Sequence, residues 1–258
     1  MLELYQFELS HYSEKVRLIL DYKGLEYRKH EIVPGIGQLE LLRITGQRQV
    51  PVLKDGNQFI YDSTQIAKYL EIKYPEPSLV PIDPKTRGLC LMMEEWADES
   101  IGTKVRKALF SAISQDESFR KSLLPTTTPD LLRNLVGEVP GDFLKVIGIG
   151  IGYSPDVVAS AIRDLQQNLD ALCLILADSP YLLGNQPSLA DLTVAGLSIL
   201  LKLPDVNYLD IPASLRGKCV QGLADNPDYE PFFTWRDNLY SQFRKPLTGN
   251  ASTPIKIN

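Results

Sequence analysis

Cysteine is scarce in this sequence, and the cysteines that occur form no pattern. Only three are found in 258 residues, Cys90, Cys173 and Cys219, and they lie far apart among apolar neighbours. This spacing excludes a disulfide framework and a zinc site, and with only two histidines in the chain we predict no bound metal. Scattered apolar cysteines are typical of buried, reduced thiols, so we expect a cytoplasmic protein.

Long apolar runs and an excess of positive charge are also missing. No apolar run approaches the roughly 18 residues of a membrane-spanning helix, and the N-terminus has no secretion-signal pattern. The net charge of −5 argues against nucleic acid as a partner, because phosphate binding needs clustered lysine and arginine. We interpret the local cluster of Lys104, Arg106 and Lys107 as a solvated helix face. The sequence therefore predicts no membrane partner and no nucleic-acid partner.

The periodicity of the sequence changes between residues 75 and 85. Residues 1–75 alternate short strands and helices in the order βαβ–α–ββ–α, which predicts a small α/β domain with a mixed sheet and a terminal hairpin. Residues 85–245 carry apolar side chains at helical spacing, which predicts an all-α domain built as a helical bundle. A proline-containing stretch joins the two and is interpreted as a linker.

Two segments depart from this organisation. An insert at about 115–154 is rich in proline and glycine and contains an apolar run, and we predict that it forms a lid over a binding site. Its glycines do not have the spacing of a phosphate-binding loop. The segment 246–258 has little core-forming content and is expected to be a mobile tail.

The most informative motif follows the first predicted strand and reads Ser10-His11-Tyr12-Ser13-Glu14-Lys15-Val16-Arg17. A helix that opens there would direct unpaired backbone N–H groups and the positive end of its dipole at an anion. The two serines have the spacing of a CxxC redox motif, but both sulfurs are replaced by oxygen. Such a site could stabilise a thiolate but could not cycle as a dithiol.

Three further features of the first domain point to the same pocket. At the start of a strand, a cis peptide before Pro51 would expose the backbone groups of Val50 to an extended peptide. Asp62 and Ser63 offer a carboxylate and a hydroxyl at a helix N-terminus, which suit an amino-acid head group. Gln49 could reach a second carboxylate. A small peptide with an amino-acid head, an extended middle and a thiol would satisfy all of these groups.

With these motifs and Ser188-Leu189-Ala190-Asp191 in the helical region, the chain resembles the glutathione transferase superfamily over roughly residues 1–112 and 155–243. The resemblance implies a thioredoxin-like N-terminal domain followed by an all-helical domain. It also implies glutathione as co-substrate, no separate cofactor, a small hydrophobic electrophile as second substrate, and a homodimer. Ser188 and Asp191 would form a capping box with a structural role.

Carried over by resemblance, Ser10 is the catalytic serine, Val50 pairs with the glutathione cysteine, and Pro51 is the cis proline. Asp62 and Ser63 would hold the γ-glutamyl head, and Gln49 the glycyl end. Ser13 stays open as an alternative to Ser10, and His11 and Tyr12 are possible contributors to the pocket. The predicted function is conjugation of glutathione to electrophiles, typical of detoxification. The alternatives are a glutathione-dependent isomerase or peroxidase, and a non-catalytic binding or regulatory protein.

Overall fold

The structure is a computed structural model that describes residues 1–32, 36–117, 119, 152–247 and 253–254. Most of the insert at about 115–154, with the lid predicted for it, lies outside these residues. No helix in the described part of the chain is long and apolar enough to cross a membrane.

The N-terminal residues form a mixed sheet flanked by helices. Its elements are β1 (Leu2–Gln6), α1 (His11–Tyr22), β2 (Tyr27–Glu31), α2 (Ile36–Thr45), β3 (Val52–Asp55), β4 (Gln58–Tyr61) and α3 (Ser63–Lys73). The central strand β1 pairs in parallel with β2 and antiparallel with β3, and β3 pairs antiparallel with β4. Gly56, at φ +59°, makes the tight turn of the β3–β4 hairpin.

A short strand from the end of the chain extends this sheet. β5 (Thr253–Pro254) runs parallel to β2, opposite His30 and Glu31, so the strand order is β4-β3-β1-β2-β5. These two residues belong to the segment 246–258, whose mobility stays a prediction.

The remaining described elements are helical. They are α4 (Pro84–Trp96), a π-helical turn (Ala97–Gly102), α5 (Thr103–Gln115), α6 (Pro155–Leu176), α7 (Leu189–Leu197) and α8 (Glu230–Phe243), with 3₁₀ turns at Ser198–Leu200, Ala213–Leu215 and Pro227–Tyr229. The predicted fold class, an α/β domain followed by an all-α domain, is confirmed. The exact domain boundaries stay predictions.

Helix α7 lies at the centre of the molecule, and all nine of its residues are buried. It packs directly against α1: a Cβ added at Gly196 would lie 2.7 Å from the Cα of Lys15. Apolar side chains of both domains form one continuous cluster, including Leu18 and Ile66 on one side and Leu165 and Val194 on the other. The helix that carries the serine motif is therefore held by both domains.

Candidate functional site

Ser10 caps the N-terminus of α1. Its backbone is extended, at φ −78° and ψ 112°, and its Oγ accepts a hydrogen bond of 3.2 Å from the amide of Ser13. The amides of His11 and Tyr12 donate to no acceptor in the described part of the chain. Ser10 is partly exposed. The first turn therefore presents two free N–H groups and an accessible hydroxyl, which together suit an anionic ligand.

Ser13 occupies a different environment from Ser10. Its side chain is fully buried, and its Oγ has no hydrogen-bond partner among the described residues. Because Ser13 is shielded from solvent, Ser10 is the serine that a ligand at the helix N-terminus would meet first.

The side chains of His11 and Tyr12 form hydrogen bonds with the backbone of the π-helical turn. The Nε2 of His11 lies 2.8 Å from the carbonyl oxygen of Gly102 and must be the donor, because a carbonyl oxygen only accepts. The hydroxyl of Tyr12 donates to the carbonyl oxygen of Asp98 at 3.1 Å. Burial lowers the pKa of His11 to about 3 and raises the pKa of Tyr12 to about 12. Both side chains are therefore uncharged near neutral pH.

A second part of the site is formed by the segment before β3. The Val50–Pro51 peptide is cis, Val50 is half-buried and Gln49 is exposed. Among the described residues, the N–H and C=O of Val50 take part in no backbone hydrogen bond. This segment can therefore pair with an extended peptide.

Asp62 and Ser63 form the N-terminus of α3. The carboxylate Oδ1 of Asp62 accepts hydrogen bonds from the amides of Thr64, at 2.9 Å, and Gln65, at 3.1 Å. Asp62 is exposed, and its backbone lies at φ +69°, which is uncommon for a residue other than glycine. Ser63 is buried. The second carboxylate oxygen of Asp62 accepts no hydrogen bond from the described residues, so it is free to meet a cation.

A buried ionic cluster links the N-terminal turns of α1 and α3. The ammonium of Lys15 lies 2.6 Å from Oε1 of Glu94, 2.8 Å from Oδ1 of Asp98 and 3.2 Å from Oγ1 of Thr64. The Thr64 hydroxyl also contacts both carboxylates, at 2.6 and 2.9 Å. Burial raises the pKa of Asp98 despite the opposing charge of Lys15. This cluster fixes the distance between the Ser10 end of α1 and the Asp62 end of α3.

Sequence reasoning missed this cluster. Lys15 belongs to the serine motif, but nothing in the local sequence indicates that it is fully buried or that its partners lie about 80 residues further along the chain. The available signal was weak: α1 carries three charged residues, Glu14, Lys15 and Arg17, close together before the apolar residues Leu18, Ile19 and Leu20.

Ser188 and Asp191 lie at the start of α7. The Ser188 amide and hydroxyl donate to Oδ2 of Asp191 at 2.9 and 2.7 Å, and the Leu182 amide donates to Oδ1 at 2.7 Å. The two residues thus form a capping box, and burial raises the pKa of Asp191. They act on the site only through α7, which packs on α1.

A cavity of about 440 Å³ lies elsewhere, between α5, α6 and the loop around Cys219. None of the predicted site residues lines it, so the chemistry described above is not located there. Within the described residues, no group of three or more His, Cys, Asp or Glu side chains is placed to hold a metal ion.

Comparisons with known proteins find similarity to glutathione transferases and to stringent starvation protein A homologs. Residues 4–78 match the family model "Glutathione S-transferase, N-terminal domain". A glutathione S-transferase of Triticum aestivum is 37% identical over 98 residues, which cover 38% of this chain and 46% of that protein. A stringent starvation protein A homolog of Coxiella burnetii is 28% identical over 93 residues, which cover 36% and 44%. The chain thus spans less than half the length of these curated relatives.

Solved structures share the fold over nearly the whole chain. A β-etherase from a Sphingobium species superposes with a TM-score of 0.66 and 23% identity, covering 93% of this chain and 95% of that one. A glutathione S-transferase from Methylobacterium radiotolerans, in complex with glutathione sulfonate, superposes with a TM-score of 0.60 and 19% identity, covering 98% and 99%. At these identities the likeness concerns the fold, which is a thioredoxin-like domain followed by a helical domain.

Proposed function

Because the chain belongs to the glutathione transferase superfamily, we propose that it is a transferase that conjugates the thiolate of glutathione to small hydrophobic electrophiles. The observation that carries this proposal is the first turn of α1, where Ser10 and two free amides face an anionic ligand. We further propose a cytoplasmic detoxification role. Glutathione serves as co-substrate, and no other cofactor is required.

Glutathione would span the three parts of the site. Asp62 would hold the ammonium of the γ-glutamyl head, and Ser63 would serve the adjacent carboxylate at the N-terminus of α3. Val50 would pair with the backbone of the cysteinyl residue, and Gln49 would reach the glycyl carboxylate. The free oxygen of Asp62 and the unpaired backbone groups of Val50 support this arrangement.

The role of Ser10 follows from its hydrogen bond. Its Oγ already accepts from the Ser13 amide, so its own O–H remains available as a donor to the glutathione sulfur. A donor of this kind, with the helix N-terminus, favours thiolate over thiol and lowers the pKa of the bound thiol from about 8.5. The thiolate then displaces the leaving group of the electrophile.

Turnover of 1-chloro-2,4-dinitrobenzene by wild type, Ser10→Ala and Ser13→Ala tests this role. We expect Ser10→Ala to lower kcat/KM by about 10- to 100-fold, because a hydrogen bond to a charged group contributes about 1.5–3 kcal/mol. A larger loss for Ser13→Ala than for Ser10→Ala would assign the thiolate to Ser13 instead. Equal turnover by all three proteins would remove the serine motif from catalysis.

A non-catalytic binding or regulatory role is the second candidate, because the relatives include proteins named stringent starvation protein A homologs. Glutathione binding by calorimetry, with no conjugation, isomerisation or peroxide reduction, would favour this role. Glutathione-dependent isomerisation or peroxide reduction without conjugation would indicate an isomerase or peroxidase that uses the same site.

We also propose a homodimer. Leu89 and Met92, one turn apart on α4, leave 43% and 69% of their surfaces exposed, and Ile72 on α3 is 84% exposed. Exposed apolar side chains at helical spacing are typical of an interface.

A further inference from the structure

The basic cluster on α5 is not one uniform solvated face. Lys104 donates to Oγ of Ser100 at 2.8 Å and lies 3.6 Å from Oδ2 of Asp164, so its charge is partly neutralised. Arg106 is exposed, and its side chain takes part in no ion pair or hydrogen bond in the described part of the chain. The structure therefore distinguishes Arg106 from Lys104 and leaves the Arg106 guanidinium available to a ligand.

Arg106 lies on the side of α5 that faces the serine motif. It follows Gly102 by four residues, so the two occupy the same helix face one turn apart. Helical side chains lean toward the N-terminus, which directs Arg106 back over Gly102. Gly102 itself contacts α1: its carbonyl oxygen accepts from His11, and a Cβ there would lie 2.5 Å from the Tyr12 hydroxyl oxygen. Arg106 therefore stands beside the residues that follow Ser10.

The charges around His11 and Tyr12 agree with this placement. Burial lowers the pKa of His11, and the positive charge of Arg106 lowers it further. Burial raises the pKa of Tyr12, and Arg106 opposes that rise. Since both side chains are uncharged at neutral pH and Lys15 is paired with Glu94 and Asp98, Arg106 supplies an uncompensated positive charge at this end of α1.

The acidic side chains nearby do not neutralise Arg106. The carboxylate of Asp98 is held by Lys15, at 2.8 and 2.9 Å, and among the described residues Asp62 forms no ion pair with Arg106. Glu99 is exposed and forms no ion pair with Arg106. The guanidinium is thus an unused donor within reach of a molecule bound next to the glutathione sulfur.

We propose that Arg106 is a specificity-determining residue that binds a carboxylate on the second substrate, so that this protein favours electrophiles bearing an anionic group. The proposal rests on the transferase function proposed above. A guanidinium can hold a carboxylate by two parallel N–H···O bonds, which also orients the electrophile. With 4-(chloromethyl)benzoate, the glutathione thiolate would attack the benzylic carbon. The C–S bond forms as the C–Cl bond breaks, and chloride leaves with the bonding electron pair.

Binding of an unreactive pair of probes tests the proposal directly. We expect wild type to bind 4-methylbenzoate more tightly than the neutral 4-methylbenzamide by calorimetry. Arg106→Met should reduce the acid-to-amide ratio of affinities about tenfold, which corresponds to about 1.4 kcal/mol. Lys107→Met is the matched control, because it removes one charge about 100° further around the same helix and should leave the ratio unchanged. No preference in wild type, or a preference kept by Arg106→Met, would overturn the proposal.

Turnover separates this proposal from the transferase function. The kcat/KM ratio of 4-(chloromethyl)benzoate to 4-(chloromethyl)benzamide should fall about tenfold in Arg106→Met and stay constant in Lys107→Met. If wild type converts neither these compounds nor 1-chloro-2,4-dinitrobenzene, the transferase proposal fails, while the 4-methylbenzoate titration still decides the role of Arg106. If Arg106→Met weakens glutathione binding about tenfold, Arg106 belongs to the glutathione subsite and the specificity proposal is wrong.

Discussion

Asp62 shows how one residue can serve both folding and binding. One oxygen of its carboxylate caps α3 through the Thr64 and Gln65 amides, and the other remains available. Its positive φ of 69° costs conformational energy in any residue but glycine, and asparagine and aspartate tolerate it best. Strained backbone of this kind is often retained where a side chain must be aimed at a ligand.

Two substitutions at Asp62 separate its two roles. Asp62→Asn keeps an oxygen that can accept from the α3 amides but removes the negative charge, so glutathione should bind about tenfold more weakly with little change in stability. Asp62→Ala should weaken binding as well and also lower the free energy of unfolding by about 1 kcal/mol. Calorimetry with glutathione and urea unfolding measure the two effects.

Asp83→Asn is the matched control, because Asp83 caps α4 through the Thr86 amide but is not among the proposed site residues. It should leave glutathione affinity unchanged. Equal affinities of wild type and Asp62→Asn would contradict the assignment of Asp62 to the ligand ammonium.

At the scale of elements, the packing of α7 on α1 depends on a single glycine. An added Cβ at Gly196 would lie 2.7 Å from the Cα and 2.9 Å from the N of Lys15, and neither backbone atom can move without shifting α1. The start of α1 carries Ser10. Close packing of these two helices therefore links the centre of the bundle to the candidate site.

Gly196→Ala should lower the free energy of unfolding by about 1–3 kcal/mol, because the helices must separate. Gly88→Ala is the matched control. Gly88 lies in α4 with no atom within 4 Å of an added Cβ, so this change should stabilise the protein by about 0.5–1 kcal/mol. Urea unfolding at one protein concentration compares them. Destabilisation of similar size in both variants would contradict the close-packing argument.

The sequence predicted most of the elements and less of how they are joined. Local signals were sufficient for the β3–β4 hairpin and for the helix N-terminus at Asp62. The helical spacing of residues 85–245 did not reveal that a π-helical turn, Ala97–Gly102, separates α4 from α5. Within that turn, Gly102 closely approaches Tyr12, and periodicity cannot reveal a contact between residues 90 positions apart.

The burial of charged side chains in α1 could not be predicted from the sequence either. Glu14, Lys15 and Arg17 are fully buried, although charged residues in a helix are usually solvated. Each is compensated by a partner, and several of those partners are distant, such as Glu94 for Lys15 and Arg244 for Glu14. Such pairing depends on the tertiary arrangement, so a local pattern cannot predict it.

At the scale of the whole molecule, the segment that follows α8 contacts α1. Beyond α8, the guanidinium of Arg244 lies 3.0 Å from Oε1 of Glu14 and 2.6 Å from Oδ2 of Asp21. Burial alone would raise the pKa of Glu14, but Arg244 and Arg17 hold it below its usual value. Breaking such a pair leaves a buried charge unpaired, so this contact binds the helical domain firmly to α1.

The exposed apolar side chains of α4 bear on the assembly state of the molecule. Met92 and Leu89 project from α4 without covering the core of their own chain, which supports the proposed homodimer. Sedimentation at micromolar concentration should return twice the mass of one chain. Met92→Glu should shift the species toward one chain, because a carboxylate in an apolar interface loses its hydration.

Leu174→Glu is the matched control for this experiment, because Leu174 on α6 is also exposed, at 77%, but lies outside the Leu89–Met92 face. It should leave the mass unchanged. A wild-type species with the mass of one chain would disprove the dimer. A dimer unaffected by Met92→Glu would show that the interface lies on another face of the molecule.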